Sequence, residues 1–494
     1  MRLLNLALSI STGAIFLPAI LLFKKHLVCH ADESKSPVRV AIIGAGIGGS
    51  ASAFFTRELL GSSAEIDVYE ASNRVGGRLD TVEVAGQRFE AGGSIIHSAN
   101  QHMQSFVSEL GLKKLESNEN SSLLGIYNGT AFVFMGSRWK TVNYAKLIWR
   151  YGFDLITMDN WISKMLKKFG TIYTLQNEGK CFTSVQELLK AMGGDEFIAM
   201  TKTTTRDELK KLGMKDRTID ELVTTVTRVN YGQDTSLNAF AGSVALAGTG
   251  GSLWAVQGGN YQVCEGLLQK SQVTLYKETK IKEIAKNPGK KSPIYTLTSD
   301  KGVQKSYDVV IIAAPLDIDT YYLSCPKCSS WPKQGSPGAF WQTIANFYST
   351  PIDYKHFGLA SMGDVPEFIG TTKDSKNYFN SIGAQFPVDG DKPKMISVRK
   401  VFSRELLTAD QKRDIFPTWK DGDSKTVPWL AYPDLKPAEH FSSLVLDDGV
   451  FYVNAIEHAA SAMEMSAVSA RNAALLASQY VSKAPTGTQE KEEL

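Results

Sequence analysis

A glycine-rich turn near the start of the chain has the residue types and spacing for chemistry on a nucleotide. The range Gly44–Gly49 has the pattern G-x-G-x-x-G and comes after a β-branched apolar run, Val38–Ile43. Gly44 permits a tight turn, Gly46 lets the backbone approach a pyrophosphate, and Gly49 allows a helix to pack closely on the strand. The free N–H groups of that helix can bind the anion. The pattern predicts a dinucleotide site, the alternative being a turn of purely structural duty. Its predicted contacts are Gly44, Ala45, Gly46, Gly48 and Gly49.

A carboxylate and two further glycine pairs extend this predicted site. Glu70 ends the next apolar segment about 20 residues later, where an acid accepts hydrogen bonds from an adenosine ribose. The pairs Gly76-Gly77 and Gly92-Gly93 precede Arg78 and Ser94. Arg78 can neutralise a phosphate, and each pair lets the main chain run against a long, flat cofactor. Because an NAD domain does not need such an extended cradle, these residues favour FAD. The further predicted contacts are Glu70, Ser72, Gly77, Arg78, Gly93 and Ser94.

The composition is that of a globular protein, which can form the helices and strands that position these residues. The 494 residues are 43% hydrophobic and 21% charged, a normal globular balance for one large core or two to three ordinary ones. The net charge of +3 is small against 54 basic and 51 acidic residues. Composition therefore excludes an extended basic surface for nucleic acid.

The N-terminal range 1–31 is predicted to be a signal peptide outside the fold. Arg2 leads into an apolar run, Leu3–Phe23, and small residues come next at Cys29 and Ala31, as a signal peptidase requires. The apolar run is also long enough to span a bilayer as a retained anchor, so both interpretations stay open.

Other short motifs bear on location. Sequons at Asn120 and Asn128 are glycosylation acceptors if the chain enters the secretory pathway. The last four residues, KEEL, differ by one conservative change from an endoplasmic reticulum retention signal, and the alternative is a flexible acidic tail over 483–494. These features predict a secretory-pathway lumen, either the endoplasmic reticulum or a later acidic compartment such as a lysosome or vacuole.

Cysteine and histidine offer few catalytic candidates. Cys325 and Cys328 form CPKC in a Pro-rich loop, which favours a local disulfide or free thiols over redox catalysis, because a catalytic pair normally opens a helix. No second pair has zinc-site spacing and the seven histidines do not cluster, so no metal site is predicted. His97, three residues after Ser94, could orient water or a substrate carboxylate, or could satisfy local backbone groups.

The glycine motif and the segment after it resemble a known superfamily. The segment Glu70–Arg78 resembles the fingerprint after the first βαβ unit of FAD-dependent amine oxidases, phytoene desaturases and protoporphyrinogen oxidases. The segments WAVQGGNYQVCEGLL, KETKIKEIAK and YDVVIIAAPL resemble later parts of the same FAD domain. The resemblance implies a backbone contact from Ile281 to adenine and contacts to the isoalloxazine ring from Ile456, Ala462 and Met463.

The C-terminal segment FYVNAIEHAASAMEMSAVSARNAALLA resembles the terminal strand and helix of that superfamily. Its helix N-terminus would aim the positive end of the helix dipole at the pyrimidine edge of the flavin. Ser461 and Met465 stand where the superfamily pattern usually has glycine. No cysteine comes after Cys328, so a thioether link to the flavin near the C-terminus is not available and non-covalent FAD is predicted.

Several segments are similar to the prenylcysteine oxidase family in particular, among them FIGTTKDSKNYFNSIG and RKVFSRELL. The resemblance implies an α/β fold with a Rossmann-type FAD-binding domain interleaved with an α+β substrate domain. It also implies oxidative cleavage of the thioether in S-prenylcysteine, such as S-farnesylcysteine, with O2 as acceptor. The FAD motifs assign 36–115, 249–335 and 441–482 to the FAD domain, and 116–248 and 336–440 to the substrate domain.

Two other functions stay open at this stage. One is an amine or polyamine oxidase of the same fold, and the other is a flavoprotein that carries isoprenoids without catalysis. An isoprenoid needs a long apolar pocket with a polar end for the cysteine zwitterion. Within the predicted substrate domain, Arg138–Gly170 mixes aromatic and aliphatic residues with Lys and Arg at roughly helical spacing. This pattern predicts amphipathic helices, either packed on the core or at a membrane interface where a lipid-like substrate enters.

Overall fold

A six-stranded sheet carries the predicted nucleotide site. The computed structural model describes residues 37–116, 123–287, 289, 294–316, 323–331, 340–390 and 398–483; the predicted leader, Asn120 and the KEEL tail lie outside them. The strands of this sheet, numbered in chain order, are β1 (Arg39–Ile43), β2 (Glu65–Tyr69), β10 (Thr274–Tyr276), β14 (Val309–Ile312), β20 (Val445–Asp447) and β21 (Val450–Tyr452). Their spatial order is β10-β2-β1-β14-β21-β20.

All neighbours in this sheet are parallel except β20 and β21. Ile42 of β1 lies between Val68 of β2 and Ile311 of β14, and all three side chains are buried. Continuous apolar runs of this kind are typical of parallel strands covered by helices on both faces. The predicted α/β, Rossmann-type fold is confirmed.

Four helices pack together beside this sheet: α1 (Ile47–Leu60), α2 (Gln101–Glu109), α12 (Tyr261–Lys270) and α14 (Met463–Lys483). The helix α14 packs along α1 and also contacts α2. Ala51 of α1 and Ala470 and Ala474 of α14 are buried in one cluster. Small side chains at these positions allow the two helices to approach closely.

Three smaller sheets are also present among the described residues. They comprise β3 (Thr81–Val84) with β4 (Gln87–Glu90); β5 (Ile96–His97) and β6 (Lys114–Glu116) with β9 (Leu253–Val256); and β11 (Ile281–Lys286), β12 (Tyr295–Ser299) and β13 (Gln304–Tyr307).

The second large layer is a seven-stranded sheet, antiparallel except for one pair. In spatial order its strands are β19 (Ser424–Pro433), β15 (Phe340–Tyr348), β18 (Val398–Ser403), β17 (Ser381–Gln385), β16 (Phe368–Thr371), β7 (Leu124–Tyr127) and β8 (Phe132–Met135). The pair β16–β7 is parallel. A short helix, α13 (Ala409–Ile415), and a 3-10 turn, Met362–Asp364, lie in its connections.

A helical cluster lies between β8 and β9 in the chain. It consists of α3 (Lys140–Tyr151), α4 (Asp154–Phe169), α5 (Thr171–Asn177), α6 (Val185–Gly193), α7 (Asp195–Thr201), α8 (Thr205–Lys211), α9 (Asp216–Thr218), a π-helical turn (Ile219–Val223), α10 (Thr224–Tyr231) and α11 (Ala239–Ala247). In α4 the buried residues Met158, Ile162, Met165 and Phe169 recur at helical spacing, which gives the helix one apolar face for the core.

The chain alternates between the two layers. Segments near residues 39–69, 274–312 and 445–452 build the six-stranded sheet, and segments near 124–135 and 340–433 build the seven-stranded one. This order is that of the predicted domain assignment, whose boundaries remain predictions. Among the described residues, none of the helices combines the length and the apolar character needed to cross a membrane.

Candidate cofactor and active site

In the turn between β1 and α1, glycine is favoured for a different reason at each position of the motif. Gly44 has φ +103°, and a Cβ there would lie 2.8 Å from the carbonyl oxygen of Ala313. A Cβ at Gly49 would lie 1.8 Å from the carbonyl oxygen of Gly44, so helix and strand could not keep this approach. A Cβ at Gly46 would meet no described protein atom closer than 3.7 Å. Packing of the protein therefore explains Gly44 and Gly49 but not Gly46.

The N-terminus of α1 is open to an anion. Gly46 is its N-cap and has no side chain to cap it, and the first turn contains no acidic residue. The N–H groups of its first turn and the positive end of its dipole therefore favour a bound phosphate.

Glu70 lies directly against this turn. One of its carboxylate oxygens accepts the N–H of Ala45 at 2.9 Å, and the other accepts the N–H and the hydroxyl of Ser72, both at 2.8 Å. The carbonyl of Glu70 accepts the N–H of Thr279 at 2.9 Å, which brings the buried Ile281 at the start of β11 close to the same end of the sheet. The structure thus brings together the residues predicted for the adenosine half.

The glycine pair Gly76-Gly77 lies beside the turn Gly44–Gly49. Gly76 has φ +112° and its N–H donates to the carbonyl of Ala45 at 2.9 Å. A Cβ at Gly77 would lie 3.2 Å from the Cα of Gly46. The two glycine motifs are therefore in backbone contact, and only glycine allows this approach.

Arg78, predicted to neutralise a phosphate, is held by protein groups. Its guanidinium donates to the carboxylate of Glu457 at 2.5 Å and to the carbonyl of Ala431 at 2.7 Å. The Glu457 side chain is 2% exposed and also accepts a hydrogen bond from the amide of Asn454 at 3.0 Å. Arg78 therefore links the segment after Gly76-Gly77 to the 3-10 turn Asn454–His458. That turn also contains the buried Ile456.

Gly93 faces the start of α14. A Cβ at Gly93 would lie 2.7 Å from Leu79 and 3.8 Å from the Met463 side chain. The carbonyl of Gly93 accepts the Asn260 amide at 2.8 Å, while the Ser94 hydroxyl donates to the carbonyl of Gly92 at 2.9 Å. Gly93 and Met463, predicted from opposite ends of the chain, are neighbours here.

Glu90, just before Gly92-Gly93 in the chain, is buried together with Lys400. The ammonium group of Lys400 donates to the carbonyl of Glu90 at 3.2 Å and lies 4.9 Å from the ring centre of Phe402. One Glu90 carboxylate oxygen accepts the N–H of Asn260 at 2.7 Å. Burial raises the pKa of Glu90 to about 7 and lowers the pKa of Lys400 to about 8, because each charged form loses its hydration.

The N-terminus of α14 completes the site. Ala462 and Met463 are half-buried there, and the next residue, Glu464, is buried. Its carboxylate accepts the N–H groups of His102 and Met103 at the start of α2, and the hydroxyl of Tyr173 at 2.7 Å. Burial raises the pKa of Glu464 to about 7. This carboxylate is therefore engaged with α2 and Tyr173.

Comparison with known proteins gives the family. The prenylcysteine lyase family matches residues 134–489, and an NAD(P)-binding Rossmann-like domain matches residues 42–110. Prenylcysteine oxidase 1 of Homo sapiens is 40% identical, with 90% of each chain covered, and prenylcysteine oxidase 1 of Mus musculus is 38% identical, with 94% of each covered. The chain belongs to the prenylcysteine lyase family. Among solved structures, a putrescine oxidase variant shares the fold with a TM-score of 0.57 and 15% identity, over 89% of this chain and 98% of that one.

As a member of the prenylcysteine lyase family, the chain is an FAD-dependent oxidoreductase, and two observations fit that cofactor. The bare backbone at Gly46 leaves room that no described protein atom fills within 3.7 Å. The buried carboxylate oxygen Oε2 of Glu457 and the amide oxygen Oδ1 of Asn454 have no hydrogen-bond partner among the described residues. Unpaired buried acceptors are rare, and these two suit a ligand with hydroxyl and N–H donors, which FAD has.

His97, the catalytic candidate, has both ring nitrogens engaged by main chain. Nδ1 accepts the N–H of Ala99 at 2.9 Å, so Nε2 carries the proton and donates to the carbonyl of Gly250 at 3.0 Å. Burial lowers the pKa of His97, which favours this neutral form. The arrangement is the one expected of a histidine that satisfies local backbone groups.

The thiols also lie outside the chemistry of the site. Cys325 and Cys328 form a disulfide, and Cys181 and Cys264 are free. Burial raises the pKa of Cys264 to about 12, so its thiol is unreactive near neutral pH. In the part of the chain that the structure describes, no cluster of His, Cys, Asp or Glu could hold a metal ion.

Sequence reasoning missed the buried charges of the site: Glu90, Lys400, Glu457 and Glu464. Each stands in or beside an apolar run of the sequence, as in RKVFS and NAIEHAA. Because charged side chains are almost never fully buried unless paired, such positions are a usable signal. Their partners, however, are far away in sequence, and no local pattern identifies them.

Proposed function

We propose that this chain oxidatively cleaves the thioether of S-prenylcysteine. The observation that carries the proposal is the 40% identity over 90% of the chain to a protein named prenylcysteine oxidase 1. The geometry of the glycine turns, Glu70 and the start of α14 supports it, because these are the parts that FAD chemistry requires. The products are free cysteine, a prenyl aldehyde and hydrogen peroxide.

FAD, when bound, takes two electrons from the substrate and passes them to O2. In the overall reaction the carbon between sulfur and the allylic double bond loses a hydride equivalent and gains an oxygen atom from water. The C–S bond then breaks, sulfur leaves as the cysteine thiol, and O2 becomes hydrogen peroxide. Sulfur and the double bond both stabilise positive charge on that carbon, so the reaction needs no strong base from the protein.

The residues of this chain bind and orient. The turn Gly44–Gly49 and the N-terminus of α1 would hold the pyrophosphate of FAD, and Glu70 the ribose. Gly93 and Met463 would lie along the ring system, where the N-terminal amides of α14 favour negative charge. Non-covalent attachment is part of the proposal.

The fold must also exclude water from the proposed substrate site. Side chains of α4, α10 and α11 belong to one buried cluster with Ile456, Ala459 and Ala460, which lie just before α14. A prenyl chain is an apolar ligand of the kind that such surroundings favour. A dry site also strengthens the electrostatic interactions on which positioning depends.

We further propose a lumenal location with glycosylation at Asn128. The side chain of Asn128 is exposed, as an acceptor must be, and the Cys325–Cys328 disulfide suits an oxidising compartment. An electrophoretic shift on enzymatic removal of N-glycans, abolished by Asn128→Gln together with Asn120→Gln, would support this. Absence of any shift in protein from secretory cells would count against it.

The decisive experiment is anaerobic mixing of the full-length flavoprotein with S-farnesyl-L-cysteine. We expect the flavin absorbance at about 450 nm to bleach, and admission of O2 to restore it with one peroxide and one aldehyde per cysteine released. Putrescine and spermidine serve as controls. Tight binding without bleaching would mean a carrier, and bleaching by the amines but not by the thioether would mean an amine oxidase.

A further inference from the structure

The corner between α3 and α4 exposes an unusual amount of apolar surface. Fifteen large hydrophobic side chains are exposed among the described residues, and six of them lie between positions 139 and 156. The other nine are scattered from Leu59 to Leu430. We name these six the corner patch, which runs from the start of α3 (Trp139, Val142) to its corner with α4 (Ile148, Trp149, Phe153, Ile156). Exposed clusters of this kind mark interaction sites, whereas single exposed residues need no explanation.

The corner patch stands on a firmly held base. The opposite faces of α3 and α4 are buried in the helical core, including Leu147 and Met158. Arg150 donates two hydrogen bonds to the Glu221 carboxylate, at 2.6 and 2.7 Å, and the hydroxyl of Tyr151 donates to the same group at 3.1 Å. The corner is therefore tied to the π-helical turn that contains Glu221. Trp149 and Phe153, at 87% and 85% exposure, point outward from an ordered support.

Charge around the corner patch is positive. The range 138–170 contains seven basic and two acidic residues, whereas the whole chain has a net charge of only +3. One of the two acids, Asp154, is buried and accepts hydrogen bonds from Thr218 and the N–H of Lys215. The other, Asp159, is half-buried, and burial raises its pKa. Four of the seven basic residues form ion pairs with acids of neighbouring elements: Arg138 with Glu367, Arg150 with Glu221, and Lys164 and Lys168 with Glu196. With these three acids counted, seven basic groups stand against five acidic ones, so a small positive excess remains on this surface.

Tryptophan and phenylalanine among basic residues are the composition of helices that lie in a membrane interface. We infer that the corner patch docks on an anionic lipid bilayer surface, with Trp149 and Phe153 inserted among the headgroups. Lysines around the corner then face the negative charge of the lipids. The two exposed tryptophans, Trp139 and Trp149, together with the small positive excess, favour the lipid over a protein partner or a second copy. The inference goes beyond the proposed activity and stands without it.

Tryptophan fluorescence can report on Trp149 alone. Subtracting the emission of Trp149→Phe from that of the wild-type full-length protein leaves the signal of Trp149, while the variant keeps an aromatic ring in the patch. With vesicles of phosphatidylcholine and phosphatidylserine, we expect this difference signal to shift to the blue and to be quenched by brominated phosphatidylcholine. A difference signal that is unchanged by vesicles would overturn the inference, whatever the predicted leader does.

Binding measurements supply the second test. Trp149→Ser with Phe153→Ser should weaken partitioning onto these vesicles by about tenfold or more, since each aromatic ring would leave a partly apolar environment. Leu406→Ser, at a 66% exposed residue outside the patch, is the matched control and should bind like wild type. The inference fails if the double variant binds as the control does. It also fails if, without vesicles, the wild type forms a dimer that the double variant does not.

Discussion

Replacing Gly46 with alanine should weaken FAD binding without unfolding the protein. Gly46 has φ −75° and ψ −174°, a conformation open to alanine, and an added Cβ meets nothing closer than 3.7 Å. Loss of glycine at the N-cap then costs about 1 kcal/mol or less. The same methyl group would stand where the pyrophosphate must approach the turn. Losing one charged hydrogen bond costs about 1.5–3 kcal/mol, so FAD should bind about 10- to 100-fold more weakly.

Gly49→Ala is the informative contrast. Its Cβ would lie 1.8 Å from the carbonyl oxygen of Gly44, so α1 must move away from β1 at a cost of about 3 kcal/mol or more. Gly170→Ala is the matched control, because its Cβ meets ordinary contacts at 3.5 Å outside the turn. Urea unfolding of the flavin-free proteins measures stability, and titration with FAD measures affinity. Full flavin affinity in Gly46→Ala, or a loss of stability equal to that of Gly49→Ala, would refute this reasoning.

Three further predictions concern buried groups and the cofactor. Arg78→Met leaves the buried Glu457 carboxylate without its ion pair and should lower the free energy of unfolding by about 3–5 kcal/mol; adding Glu457→Gln should restore part of it, and no restoration would show that the pair is not the cause. Burial, together with the charge of Arg471, lowers the pKa of His102 from 6.5 to about 4. Its neutral form therefore stabilises the fold above pH 6.5, and this contribution is lost as the pH falls towards 4. The difference in unfolding free energy between wild type and His102→Gln should accordingly change by about 3 kcal/mol across that window, and a constant difference would contradict it. Finally, trichloroacetic acid should leave the flavin in the supernatant, whereas a yellow pellet would mean a covalent bond.

The parts of the site that depend on neighbouring residues could be predicted from the sequence. One tight turn imposes both the positive φ of Gly44 and the close approach of Gly49 to Gly44, so the G-x-G-x-x-G spacing predicts them. The helix after that turn, α1, and the strand before Glu70 arise from apolar runs in the same segment. The resemblance of the C-terminal segment also locates α14, whose first residue, Met463, is among the predicted contacts.

The parts that depend on distant residues could not be predicted. An arginine next to two glycines suits a phosphate site. In the structure, however, the Arg78 guanidinium is paired with the carboxylate of Glu457, 379 positions away. The pair Glu90 and Lys400 joins segments 310 positions apart. No local pattern encodes such contacts. They arise only when distant segments of the chain pack together in the folded protein.

The parallel pairing of β1 with β14, and of β14 with β21, sets the order of events during biosynthesis. Val40 lies opposite Val309, and Val310 opposite Val450, so roughly 400 residues must be made after β1 before its sheet can close. At about 5–20 residues per second this delay is roughly 20–80 s, and the edge of β14 that pairs with β21 stays uncovered until its end. FAD, whose proposed contacts run from Gly44 to Met463, can be enclosed only once the start of α14 has been made and has folded. A ribosome-bound or truncated chain lacking α14 should therefore be a client of chaperones rather than a flavoprotein.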